Sequence, residues 1–177
     1  MEDQKIISKL HSAKDARAGF EALTNKYSQR VYWHVRKMVI DHDDTNDLVQ
    51  DIFIKIWLNK EKFRGDSSLF TWIYRIATNE TLNFLNKKKR TIIGEDLESQ
   101  LIDNLESDES ISGDKIHLML QKAILTLPEK QRMVFNLKYF EELKFREISA
   151  ITDTSEGALK ASYHLAVKKI EEFLNTN

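Results

Sequence analysis

The stretch LKFREISAITDTSEGALKASYHLAVKKIEEFL, residues 143–174, decides the fold. Its first part fits a helix of two turns, TDT at 152–154 is a short polar break, and Ser155 suits the N-cap of a longer helix. In that longer helix Leu159, Tyr163, Ala166, Ile170 and Phe173 recur at steps of three and four and form one apolar face. Two turns, a tight break and a longer helix are the outline of a helix-turn-helix, in which the second helix enters a DNA major groove. Glu156, Lys160, His164 and Lys168 share its polar face; an ordinary amphipathic helix with a Glu156–Lys160 pair gives the same pattern.

Upstream, Lys115–Leu125 and Glu129–Tyr139 read as two more helices flanking Leu127–Pro128, where proline suits the first turn of a new helix. Before these lies a segment of different character. Residues 94–114 hold eight acidic side chains, no basic one, and two of the five glycines, Gly94 and Gly113. By composition it is a solvated, flexible linker that cannot fold alone. It separates a block at 1–93 with 17 basic and 12 acidic residues from one at 115–177 with 10 and 8, so a formal net charge of −1 conceals two mildly basic halves.

The first block is also helical. A short helix is expected around Asp3–His11, and Phe20, Leu23, Tyr27, Val31, Val35 and Met38 trace one face of a helix of about 25 residues. DHDDTND (41–47) breaks the pattern, with Asp44 or Thr45 as N-cap of a helix NDLVQDIFIKIW (46–57). The turn FRGDSS (63–68) then leads through Ser67 or Ser68 into LFTWIYRIATNETLNFLNKKKR (69–90). One proline, five glycines and no strand-like alternation in 177 residues make the chain all-α: two small helical domains, 1–92 and 115–177, joined by the acidic linker 93–114.

Several chemistries are excluded. Without cysteine there is no disulfide scaffold, thiolate metal site or cysteine nucleophile. An EF-hand loop starting at Asp41 needs glycine at its sixth place and glutamate at its twelfth, where Asn46 and Ile52 stand. The five histidines show no metal-binding spacing, and there is no glycine-rich phosphate loop. No catalytic residue and no cofactor are expected. The polar N-terminus and the lack of a long apolar run point to a cytoplasmic protein without direct membrane insertion.

Two surfaces stand out in the first block. Asp47, Gln50 and Asp51 lie on the polar side of their helix, as a solvated face or as an acidic docking surface for a basic partner. On the following helix Trp72, Ile76, Asn79, Asn83 and Asn86 form a stripe leading into Lys87-Lys88-Lys89-Arg90. Asparagine is a poor residue for a helix interior, but its amide offers a donor and an acceptor together, as reading a base edge requires, and the basic end suits phosphates.

In this order, NDLVQDIFIKIW, FRGDSSLFTWIYRIATN, a basic end, an acidic linker, LPEKQRMVF and a terminal helix-turn-helix, the chain resembles bacterial RNA polymerase sigma factors of the extracytoplasmic-function (ECF) group over nearly its whole length. The resemblance implies a non-enzymatic initiation subunit that directs core polymerase to promoters and promotes DNA opening. It implies polymerase contact at Asp47, Leu48, Gln50 and Asp51. It implies capture of opened −10 DNA by Phe63, Arg64, Ser68, Trp72, Asn79, Asn83, Lys87 and Lys88. It implies −35 reading by Ser155, Glu156, Lys160, His164 and Lys168. The implied partners are core RNA polymerase, promoter DNA and a sequestering anti-sigma factor. The sequence departs from the family at Ser162 and Leu165, where arginine is frequent, and at Asp153, where glycine is frequent. A free-standing dimeric helix-turn-helix regulator and an RNA-binding module are the alternatives that the residues alone leave open.

Overall fold

The computed structural model describes residues 2–177 and is helical throughout, with ten α-helices and one 3-10 turn among them. The first half consists of α1 (Asp3–Leu10), α2 (Ala16–Val39), α3 (His42–Asn59), the 3-10 turn Lys60–Lys62 and α4 (Leu69–Thr91). Helix α1 crosses α2 so closely that a Cβ on Gly19 would stand 2.6 Å from the Leu10 backbone nitrogen, so only glycine fits there.

The break between α2 and α3 is tighter than expected, which corrects the reading of DHDDTND as the interruption. Ile40 takes φ 68° and ψ −50°, and the Asp41 N–H donates to the Val39 carbonyl at 2.8 Å, closing a γ-turn. The N-cap is therefore Asp41, not Asp44 or Thr45. Its carboxylate accepts the Asp44 N–H at 2.8 Å, and α3 begins at His42 with Asp43 and Asp44 in a first turn where negative charge is favourable. Thr45 is buried, its hydroxyl donating to the Asp41 carbonyl at 2.6 Å.

The acidic segment is not an unfolded linker. Asp96 caps α5 (Leu97–Ser107) by accepting the Ser99 N–H at 2.7 Å, and α6 (Glu109–Ser112) follows. Leu97, Leu101 and Leu105, spaced at i, i+4 and i+8, are buried, while Ile93 to Asp96 stay exposed. The leucine stripe finds a partner surface that local sequence does not reveal.

The second half contains α7 (Lys115–Leu125), α8 (Glu129–Tyr139), α9 (Phe145–Thr152) and α10 (Glu156–Thr176), at the positions the periodicity predicts. Pro128 stands one place ahead of α8, as its N-cap. A small core of Ala123, Ile124, Leu127, Phe135, Ala166 and Ile170 belongs to this half alone. Its other apolar face, with Met133, Leu137, Ile148 and Ile151, joins the large core of the first half through α8 and α9 packed on α2 and α4. The leucines of α5 belong to the same large core. No described helix is long and apolar enough to cross a membrane.

Two buried polar groups mark this packing. His34 is fully enclosed beside Tyr74, with Nε2 3.0 Å from the Thr78 hydroxyl. Burial, and then the charge of Lys37, push its imidazole down to about 3, so it is neutral at physiological pH. Arg132 of α8 is equally enclosed and reaches the carbonyls of Leu125 and Met38, each at 3.5 Å, the second of them across the seam between the halves. Burial lowers its guanidinium to about 10, and it stays charged.

Candidate nucleic-acid interface

Helix α3 has a buried apolar stripe and an exposed, mixed face. Asp47, Gln50 and Asp51 are exposed, as the pattern predicts. Leu48 is not with them: it is 6% exposed and belongs to the core, because it lies on the stripe that continues through Ile52 and Ile56. Two apolar side chains take its place on the open face, Ile54 at 51% and Leu58 at 71% exposure. They follow Asp47 and Asp51 at helical spacing and are left over from the buried stripe, a signal available in the sequence. Ile54 also lines a shallow apolar groove with Arg17, Phe20, Gln50, Phe53 and Trp57.

The loop before α4 is anchored at both ends. Phe63 is 4% exposed, its ring 5.2 Å from that of Trp72 and 6.4 Å from His11, so it holds the loop down and is not on its surface. Ser68 accepts the Thr71 N–H at 3.1 Å and donates to the Thr71 hydroxyl at 2.9 Å, which commits its side chain to capping α4. Between these anchors Arg64, Gly65 and Asp66 are exposed, and Gly65 turns the chain at φ 80°.

Along α4, Trp72 and Ile76 are half-buried while Asn79, Asn83 and Asn86 are exposed in a row. Lys87 is exposed beyond them. Lys88 is engaged with Asp44 at 2.6 Å, and Lys89 stands 3.6 Å from Glu129 of the second half. An aromatic, three amides and an open basic end thus lie along one helix, the chemistry for stacking and hydrogen-bonding single-stranded bases beside a phosphate chain.

In the helix-turn-helix, Asp153 makes the turn in the left-handed conformation at φ 53° and ψ 41°. That accounts for glycine at the matching place in the resembling family, since aspartate tolerates this region better than most side chains but less well than glycine. Ser155 caps α10 by accepting the Ala158 N–H at 3.2 Å, so this hydroxyl too has a structural duty. Glu156, Lys160, His164 and Lys168 are all exposed on one side of α10. Among the described residues Glu156 and Lys160 form no ion pair; Lys160 Nζ instead lies 6.0 Å from the Phe145 ring.

The contacts that sequence reasoning missed lie between the halves. Arg75 of α4 donates from Nε and from its terminal nitrogen to the Ala150 carbonyl in α9, at 3.1 and 2.7 Å. Glu141 accepts from Arg30 at 3.3 Å and from the Tyr74 hydroxyl at 3.2 Å. Burial, with Glu141 adjacent, raises the Tyr74 phenol far above its ordinary range. These partners are 67 to 111 residues apart and have no local signature.

Comparison with known proteins aligns both halves. The family model for Sigma-70 region 2 matches residues 23–91, and that for Sigma-70 region 4 matches residues 117–170. The chain is 27% identical to the RNA polymerase sigma-H factor of Pseudomonas aeruginosa, over 98% of this chain and 94% of that protein. It is 28% identical to the ECF RNA polymerase sigma-E factor of Escherichia coli, over 96% and 92%. Its fold is similar to CnrH, solved with the cytosolic domain of CnrY, at a TM-score of 0.72, 18% identity and coverage of 99% and 98%. It is also similar to the sigma factor RpoE of Bartonella quintana, solved with the anti-sigma factor NepR, at a TM-score of 0.71, 21% identity and coverage of 89% and 98%.

Proposed function

The chain belongs to the ECF group of RNA polymerase sigma factors, and we propose that its two halves divide the reading of a promoter between them. In this reading residues 1–92 hold the polymerase and take unpaired −10 bases, and 115–177 read the −35 duplex. Residues 93–114 are the segment whose conformation joins or separates the two. The observation that carries the division is the exposed row Asn79, Asn83 and Asn86 beside Trp72 on one half, together with an exposed Lys160, His164 and Lys168 face on a helix-turn-helix in the other.

Docking falls to Asp47, Gln50 and Asp51 with Ile54 and Leu58, an acidic and apolar face suited to a basic, partly apolar surface of core polymerase. Leu48 and Phe63 support these surfaces from within. Arg64 and Lys87 are the open cations of the −10 surface. The subunit performs no chemistry of its own; the polymerase supplies catalysis, and the working place of the complex is the cytoplasm. Because the solved relatives of like fold were captured with CnrY and NepR, a sequestering anti-sigma partner is part of the proposal. Reconstituted transcription with core polymerase, followed by mapping of start sites, tests the whole reading. Start sites that share no upstream elements, or specific initiation without this chain, would remove it.

A further inference from the structure

The face of α10 turned away from the core carries two parallel rows. Lys160, His164 and Lys168 make one; Gly157, Ala161 and Leu165, at the same helical spacing, make the other, and all are exposed. The first row supplies charge and polar contacts. The second has no polar side chain at all. It runs for about 12 Å along the helix axis, the rise of roughly three to four stacked base pairs.

Nothing in the fold asks for this second row. Leu165 is 52% exposed and belongs to neither apolar core. A Cβ on Gly157 would meet no atom within 4 Å, and only proline is a poorer helix residue than glycine. A bare backbone there does nothing for stability, but it lets the helix lie close against another molecule. Ala158, next to it, is exposed as well and adds little bulk.

The helix also lacks most base-reading polar groups. Lysines apart, residues 155–169 include no arginine, asparagine or glutamine, the side chains whose paired hydrogen bonds single out guanine or adenine in the major groove. At 165, where arginine is frequent in the family, a branched hydrocarbon replaces a guanidinium that forks onto guanine. Among the base edges exposed in the major groove, the only methyl group is that on C5 of thymine. A leucine held against a G·C pair would strip water from polar edges and offer them no hydrogen bond in return.

We propose that Leu165 selects thymine in the −35 element by packing on its methyl group, with Ala161 in the same row and Gly157 allowing the close approach. The inference rests on the proposed −35 reading by α10 and names what that surface discriminates. It is a methyl-bearing A·T pair, where arginine in this position would favour G·C.

The test uses the full chain assembled with core polymerase. Promoters taken from the mapped start sites, with their −35 positions randomised, are selected for binding. The bound pool should be enriched in thymine at one position or more. Each selected thymine is then replaced by deoxyuridine, which pairs in the same way and lacks only the methyl group. At one of them binding should fall about 4-fold, the change expected for one buried hydrocarbon group of that size. Leu165→Ala should lower binding to the thymine promoter by a similar factor and abolish the deoxyuridine effect. Leu165→Arg should shift the selected base at that position to guanine. Because the side chain is exposed, neither variant should disturb folding. A −35 preference without thymine overturns the contact, as does deoxyuridine that is harmless at every thymine. So does a deoxyuridine penalty as large in Leu165→Ala as in the unsubstituted protein. Those results leave the −35 reading standing, whereas a bound pool with no −35 preference of any kind removes both.

Discussion

Arg75 and Ala150 join the helix of the amide row to the first helix of the helix-turn-helix through two N–H donors on one carbonyl, at 3.1 and 2.7 Å. A guanidinium satisfies this fork and an ammonium does not. Arg75→Ala is expected to weaken docking of the halves by about 1–2 kcal/mol, toward or below the low end for hydrogen bonds to a charged group because Arg75 is exposed. Arg75→Lys should recover little of it. Faster amide exchange in α9, with α1 and α3 unchanged, is the measurement. Equal exchange throughout would mean that the apolar contacts alone hold the halves.

Asp153 concerns the helix-turn-helix alone. Its left-handed backbone costs a side chain of this kind up to roughly 1 kcal/mol, partly offset by the entropy that glycine loses on folding. Asp153→Gly should therefore be neutral to slightly stabilising, and Asp153→Val should cost about 1–2 kcal/mol, because β-branched residues rarely take positive φ. Thermal unfolding of the three proteins gives the order. A valine variant as stable as the other two would contradict the turn geometry.

His34 makes stability depend on pH. Its folded value of about 3 lies below the ordinary 6.5, so the unfolded chain binds the extra proton first. Its contribution is complete above pH 6.5 and is lost as pH falls from there toward 3, with a slope approaching roughly 1.4 kcal/mol per pH unit. The carboxyls held low at Asp96 and Asp108 add losses only below about pH 4. Denaturant unfolding between pH 7 and 4.5 isolates the histidine. His34→Gln is expected to flatten that limb even though it lowers stability at pH 7, and a slope unchanged by the substitution would assign the loss to other groups.

The sequence made the helices legible because each carries its own start signal and stripe: Ser68 before α4, Ser155 before α10, and apolar residues at steps of three and four between. The exposed site residues were legible for the same reason, lying off those stripes. Leu48 and Phe63 show the limit, since a position inside a functional stretch can serve the core beneath it. Helix α5 shows another. Its three leucines are periodic, but eight carboxylates dominated the composition, and burial depends on a seam formed by residues far away in the chain. The same holds for Arg75, Glu141 and Arg132, whose partners only the assembled fold supplies.

The docking face proposed for α3 predicts a contrast between neighbours. Asp51→Arg should fold with a cost of roughly 0.5 kcal/mol or less, since its side chain is exposed, and should weaken binding to core polymerase. Ile54→Asp and Leu58→Asp should weaken it as well. Leu48→Ala should instead lower stability by about 2–4 kcal/mol and leave affinity intact in whatever fraction is folded. Affinity measured on folded protein at two salt concentrations separates the charged from the apolar share. Unchanged affinity in a folded Asp51→Arg protein would remove this face from the docking surface.

The last prediction separates the two DNA surfaces and the free protein from the assembled one. Lys160→Ala and His164→Ala should lower promoter activity in a manner that depends on the −35 sequence, because both are exposed on the face of α10 proposed to enter the major groove. Asn79→Ala and Asn83→Ala should impair strand opening or −10 discrimination and leave −35 preference alone, since the proposed role of the α4 amides is to meet bases once these are unpaired. Lys87→Ala should weaken binding uniformly and reduce the salt dependence, as a phosphate contact does. Lys88 has a carboxylate partner in Asp44, so Lys88→Ala should show a smaller salt effect than Lys87→Ala and a loss of stability besides. The isolated protein should bind duplex DNA weakly: its halves carry only a small basic excess, eight acidic residues lie between them, and non-specific affinity rests on counterions released by lysine and arginine. Specific binding with strand opening is expected after core polymerase is added. Tight, site-specific duplex binding by the purified chain alone, or equal responses of all these variants to changes in either element, would overturn the division of labour.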